Sequence, residues 1–144
     1  MQCADRLRGI AKIKGGIDLN IVVLAGGYSP ERDVSLSSGS LIANALMKTG
    51  HKVLMLDLYE GIDLEELSEE QYQTLFCDNK TYTYKVPSNE PNLEELRKNS
   101  NNGRSLIGKN VLELCKYSDI VFIALHGGIG ENGQIQAMLD NLRN

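Results

Sequence analysis

Three short apolar runs constrain this chain more than any other feature: Ile21-Val22-Val23-Leu24-Ala25, Val53-Leu54-Met55-Leu56 and Ile120-Val121-Phe122-Ile123-Ala124-Leu125. None alternates apolar with polar residues as a strand with one wet face does. Continuous runs rich in β-branched residues fit strands covered on both faces, as in a parallel sheet flanked by helices. Between the first two runs Val34, Ser38, Leu41, Ile42, Ala45 and Leu46 mark one face at helical spacing, with Gly50 placed as the stop. The order strand, helix, strand predicts an α/β domain of three layers, Rossmann-like, with a mainly parallel sheet. At 144 residues one core buries roughly two-thirds of the unfolded surface, so neither disulfide nor metal is required and no second full domain fits.

The middle of the chain has weaker signals. An acidic helix-like stretch containing Asp63, Glu65, Glu66, Glu69 and Glu70 reads as a solvated face rather than a metal site. Thr81 to Val86 alternates as an edge strand does. Pro87, Pro91 and the run Asn99 to Gly103 read as surface loop around a helical turn at Leu93 to Arg97. Val111, Leu112, Leu114 and Cys115 then predict a helix leading into the third apolar run, and Gln134 to Leu142 a final one.

Charge and cysteine usage exclude several classes of function. A net charge of −4 without a dense basic stripe argues against nucleic acid as the main partner. No apolar stretch approaches the roughly 20 residues of a membrane span. Residues 1–19 lack a signal-peptide core and read as a poorly ordered leader ahead of a domain over 20–144. Cys3, Cys77 and Cys115 are an odd set without CxxC spacing, which suits a reducing compartment and places the protein in the cytoplasm.

In open parallel sheets ligands gather beyond the carboxyl ends of the strands. Two loops there stand out: Gly26-Gly27-Tyr28-Ser29-Pro30-Glu31-Arg32-Asp33-Val34-Ser35-Leu36-Ser37-Ser38-Gly39 and His126-Gly127-Gly128-Ile129-Gly130-Glu131-Asn132-Gly133. The second contains GxGxxG from Gly128 to Gly133. A dinucleotide fingerprint belongs in the first strand-to-helix turn, with an acidic residue about 20 positions on, and neither condition holds here.

Taken as a pair, the loops resemble the amino-terminal domain of D-alanine–D-alanine ligases, members of the ATP-grasp superfamily. Gly26, Gly27, Ser29, Glu31, Val34, Ser35, Leu36, Ser38 and Gly39 match the family's first signature; His126, Gly127, Gly130, Glu131 and Gly133 match its second. Asn132 stands where the family usually has Asp, a change that keeps a short polar side chain at a helix start. The resemblance covers roughly Asn20 to Leu142 and implies a fold of the pre-ATP-grasp type.

It also implies a reaction. ATP phosphorylates the carboxylate of one D-alanine, and the amine of a second attacks the acyl phosphate to give the D-alanyl-D-alanine dipeptide for peptidoglycan. By this resemblance Glu31 holds the first ammonium group and is the catalytic candidate, Val34 lines the methyl pocket, and His126 lies beside the first amino acid. Ser35 and Glu131 secure the loops. For an isolated Glu the simpler role is to pair with Arg32 or cap a helix, and the surrounding motif shifts the balance. The family's central and carboxyl-terminal domains bind ATP and Mg2+. They are expected to be absent here, so that this chain alone binds neither cofactor and is inactive by itself. The alternative is a non-catalytic binding or dimerisation module derived from a ligase, with a homodimer through the helical layer as in the family.

Overall fold

A computed structural model describes residues 18–127 and 133–142. Residues 1–17 of the expected leader, and Gly128, Gly130, Glu131 and Asn132 of the second loop, lie outside the described residues. Asp18 is described, and its carboxylate pairs with Lys52 at 3.1 Å.

The three apolar runs form β1 (Asn20–Ala25), β2 (Lys52–Asp57) and β3 (Ile120–Ile123). All pair in parallel in the order β2-β1-β3, with Ile21 opposite Val53 and Ile120, and Leu24 opposite Leu56 and Ile123. The helices are α1 (Arg32–Lys48), α2 (Glu69–Leu75), α3 (Leu93–Asn99), α4 (Val111–Tyr117) and α5 (Gln134–Leu142). The chain is thus an α/β domain with an open parallel sheet between helices. Among the described residues no helix is long and apolar enough to cross a membrane.

Alternate side chains of β1 feed two cores. Val22 and Leu24 pack with Leu54, Leu56, Val111, Leu114, Cys115 and Ile135 on the α4 and α5 side. Ile21, Val23 and Ala25 pack with Leu36, Ala43, Met47 and Val53 on the α1 side. Each fully buried aliphatic side chain stabilises the fold by about 1.5–3 kcal/mol relative to exposure. This is why the central strand is apolar at every position from Ile21 to Ala25.

The structure corrects three expectations. The docking face of α1 is Leu36, Gly39, Ser40, Ala43 and Met47, whereas Val34 is 51% and Leu41 71% exposed. Small residues win because the helix lies close to the sheet: a Cβ on Gly39 would stand 2.9 Å from that of Ala25. Thr81 to Val86 forms no strand. Its alternation is real but serves the α1-side core, against which Tyr82 and Tyr84 pack, while the Tyr82 backbone pairs with the Asn44 side chain in both directions at 2.8 Å. Helix structure in the acidic stretch begins only at Glu69, where Ser68 and Gln71 form a reciprocal capping box.

β3 departs from the both-faces pattern as well. Val121 and Ile123 face the α4 and α5 core, but Ile120 and Phe122 are 42% and 43% exposed. Helix α1 packs chiefly over β1 and β2.

Candidate functional site

The chain leaves β1 through Gly26 and Gly27, both with positive φ. Gly26 is required sterically too, since a Cβ there would lie 2.7 Å from the Asp57 carboxylate. Asp57, the last residue of β2, receives the backbone N–H groups of Gly27 (3.2 Å), Tyr59 (2.9 Å) and Glu60 (3.2 Å) on one oxygen. Its other oxygen takes Arg32 Nη2 at 2.6 Å, and Arg32 Nη1 donates to the Gly27 carbonyl at 2.7 Å. Glu60 lies 3.4 Å from the same guanidinium. Burial alone lowers the Arg32 pKa, but the hydrogen bond and charge of Asp57, with Glu60, more than offset it and the net direction is upward.

A second set of bonds joins this loop to the end of β3. Ser35, in the first turn of α1, accepts from the Gly26 N–H at 2.9 Å and donates to the Ala124 carbonyl at 2.6 Å. It therefore fastens both strand ends from inside the helix rather than capping it. Ser29 bridges the two loops. Its hydroxyl lies 2.6 Å from Glu31 Oε2 and 3.1 Å from the His126 carbonyl, and it accepts the Glu31 N–H at 3.1 Å.

Glu31 occupies the N-cap position of α1 without capping it through its side chain. Its carboxylate lies against the second loop: a Cβ on Gly127, itself at φ +72°, would fall 2.6 Å from Glu31 Oε2 and 2.9 Å from Ser29 Oγ. Glu31 and the His126-Gly127 backbone are thereby brought together at one edge of the sheet. Arg32, the neighbour that offered the simpler partner for Glu31, turns inward to Asp57 instead. Among the described residues no cation pairs with the Glu31 carboxylate. Val34, the third residue of α1, stays exposed, and His126 is half-buried.

Arg32, Asp57 and Tyr84 escape sequence reasoning as site residues, and Ser29, although part of the first signature, carried no role there. The Tyr84 hydroxyl donates to the Asp33 carboxylate at the start of α1. Desolvation, then this hydrogen bond, pushes its pKa up to about 12. For Asp57 the available signal was positional, because it ends a buried strand on the ligand side of the sheet; for Ser29 it was the signature itself.

A family model described as D-ala D-ala ligase N-terminus matches residues 20–143. The chain belongs to the D-alanine–D-alanine ligase family. It is 48% identical over 126 residues to the D-alanine–D-alanine ligase of Pediococcus pentosaceus, a match covering 85% of this chain and 35% of that protein. The ligase of Lacticaseibacillus casei is 45% identical over 124 residues (85% and 34%), and that of Halalkalibacterium halodurans 32% over 124 residues (86% and 25%). The chain thus spans about a third or less of the length of these ligases and corresponds to the family's amino-terminal domain.

Proposed function

We propose that residues 20–144 form the amino-terminal substrate-binding domain of an ATP-dependent, cytoplasmic ligase that makes D-alanyl-D-alanine for peptidoglycan. The observation that carries this reading is the meeting of the two signature loops, with the Glu31 carboxylate held at the second loop and paired with no cation of the described residues. A substrate ammonium group supplies the missing charge, and its three donors match an anchored carboxylate in both sign and direction. Val34, exposed at the same helix start, lines the space for the substrate methyl. His126, at the end of the β3 loop, donates to or orients the substrate carboxylate.

Among the described residues no group of three or more His, Cys, Asp or Glu side chains is arranged to hold a metal ion. By the family resemblance, ATP and Mg2+ belong to the ATP-grasp part of the complete enzyme. A homodimer through the helical layer belongs to the same proposal and is supported by the outward Leu41 of α1.

The test is Glu31→Gln in a complete enzyme made by joining this chain to the remaining portion of the Pediococcus pentosaceus ligase. The substitution keeps size and one acceptor oxygen but removes the charge. Loss of a charge-assisted bond of about 1.5–3 kcal/mol lowers kcat/KM for the first D-alanine roughly ten- to more than a hundredfold. The 144-residue chain alone, given D-alanine, ATP and Mg2+, forms no dipeptide. A kinetically neutral Glu31→Gln would remove the proposed role.

A further inference from the structure

We propose that Ser29 is a positioning residue for the Glu31 carboxylate, fixing it in the orientation that receives the substrate ammonium. The inference rests on the reading of Glu31 given above and adds a residue to it.

Glu31 is exposed, and a solvent-facing Glu ordinarily samples several rotamers. Ser29 is 5% exposed and has its own backbone tied into the turn, with its carbonyl accepting the Arg32 N–H at 3.0 Å. Its oxygen accepts the Glu31 N–H, and its hydroxyl reaches Glu31 Oε2 at 2.6 Å, so that one immobile atom holds both the backbone and the side chain of the same residue. A hydroxyl has one proton to give. That proton faces two acceptors, the carboxylate at 2.6 Å and the His126 carbonyl at 3.1 Å, and the shorter, charge-assisted contact takes the larger share. Oε2 is therefore committed to Ser29 and the wall at Gly127, leaving Oε1 as the oxygen for an incoming ammonium. The weaker contact to His126 sets the distance between the two loops.

The role differs from that of Ser35, whose hydroxyl, among the described residues, bonds to the backbone of Gly26 and Ala124. Ser35 is scaffold; Ser29 acts through Glu31.

The experiment uses the joined enzyme described above, with D-alanine as the varied substrate. Ser29→Ala raises KM for the first D-alanine about tenfold while kcat changes less than about threefold. Ser29→Cys, which keeps the size but donates weakly, shows the same split, and Ser29→Thr, which restores a hydroxyl, recovers most of the affinity. In a Glu31→Gln background the further change Ser29→Ala has a much smaller effect, because there is no charged group left to aim. Melting temperatures of each variant separate this from loss of fold. Additive losses in the double variant, or a neutral Ser29→Ala beside an impaired Glu31→Gln, would overturn the role of Ser29 alone. A neutral Glu31→Gln would overturn the underlying reading and the inference with it.

Discussion

The two sides of the sheet's central strand are built on opposite principles. Beyond the carboxyl end of β1, Ser29, Arg32, Ser35 and Asp57 each reach a group in another segment, tying the β1 loop to the ends of β2 and β3. Across the sheet, β3 presents Ile120 and Phe122 to solvent and, with α4 and α5, borders a cleft of about 380 Å3 in which Val121, Ile123, Leu139 and Leu142 sit beside Lys116, Gln136 and Asp140. Directional bonds between buried polar groups fix atoms to tenths of an ångström and are costly to break singly. Apolar surface fixes little and tolerates exchange. The polar end is thus the one fit to hold a carboxylate in a set orientation, and the apolar edge contributes bulk.

The largest effect separating the two regions is expected at Arg32. Arg32→Met removes the donor to Gly27 and leaves the Asp57 carboxylate beside an apolar chain with little solvent. Breaking one side of a buried ion pair costs about 3–5 kcal/mol. Adding Asp57→Leu does not rescue the loss, because three backbone N–H groups that end on Asp57 are then orphaned. Urea unfolding of the single and double variants measures both steps; a loss below about 1 kcal/mol for Arg32→Met would place the anchoring of the loop elsewhere.

The next effect is a pH dependence that each region contributes to separately. Burial pushes the Cys115 thiol, on the cleft side, from an ordinary 9.0 up to about 12. Burial and then the bond to Asp33 push Tyr84, on the site side, from 10.0 up to about 12. In the folded chain both stay protonated over a range where the unfolded chain has given up its protons. Unfolding there releases protons, so the stability contributed is complete below about pH 9 and is lost as pH rises toward 12. Cys115→Ala flattens the decline from about pH 9 upward, and Tyr84→Phe only the part above about pH 10. Urea midpoints between pH 8 and 11 check this, and a midpoint independent of pH over that range would contradict both assignments.

How much of this was legible in the sequence follows the same division. The apolar runs specified the strands, for β1 because burial on both faces leaves a continuous signature and for β3 despite one exposed face, and their order specified parallel pairing. The signature loops specified which end of the sheet to inspect. The docking face of α1 was not legible, because Gly39, Ser40 and Ala43 carry almost no hydrophobic signal, although their small size is what lets the helix approach. Leu41, far more apolar, faces outward. Nor did the sequence show that Arg32 turns away from its neighbour Glu31 toward Asp57, 25 residues on. Ion-pair choice depends on which strand ends are adjacent, and strand order is a tertiary fact. The alternation of Thr81 to Val86 misled for a related reason: a period of two reports that every second residue is buried, without reporting whether a strand or a helix buries it.

The smallest effect is expected at β3, where the continuous apolar run would otherwise suggest a core position at Phe122. With 43% of its surface exposed and no helix of the described residues over it on the α1 side, Phe122 has lost much of the gain that burial provides. Phe122→Thr keeps a residue suited to a strand and should shift stability by no more than about 0.5 kcal/mol, the usual range for a surface change. Its consequence lies in association instead. Among the described strands β3 lies at the sheet edge, and an apolar edge strand is a template for pairing with another chain, a tendency that a polar side chain in its middle weakens. Sedimentation velocity on this 144-residue chain should show less self-association for Phe122→Thr, with an unchanged unfolding midpoint. A loss of several kcal/mol would mean that another segment covers this face, and the contrast between a rigid polar end and a permissive apolar edge would no longer hold.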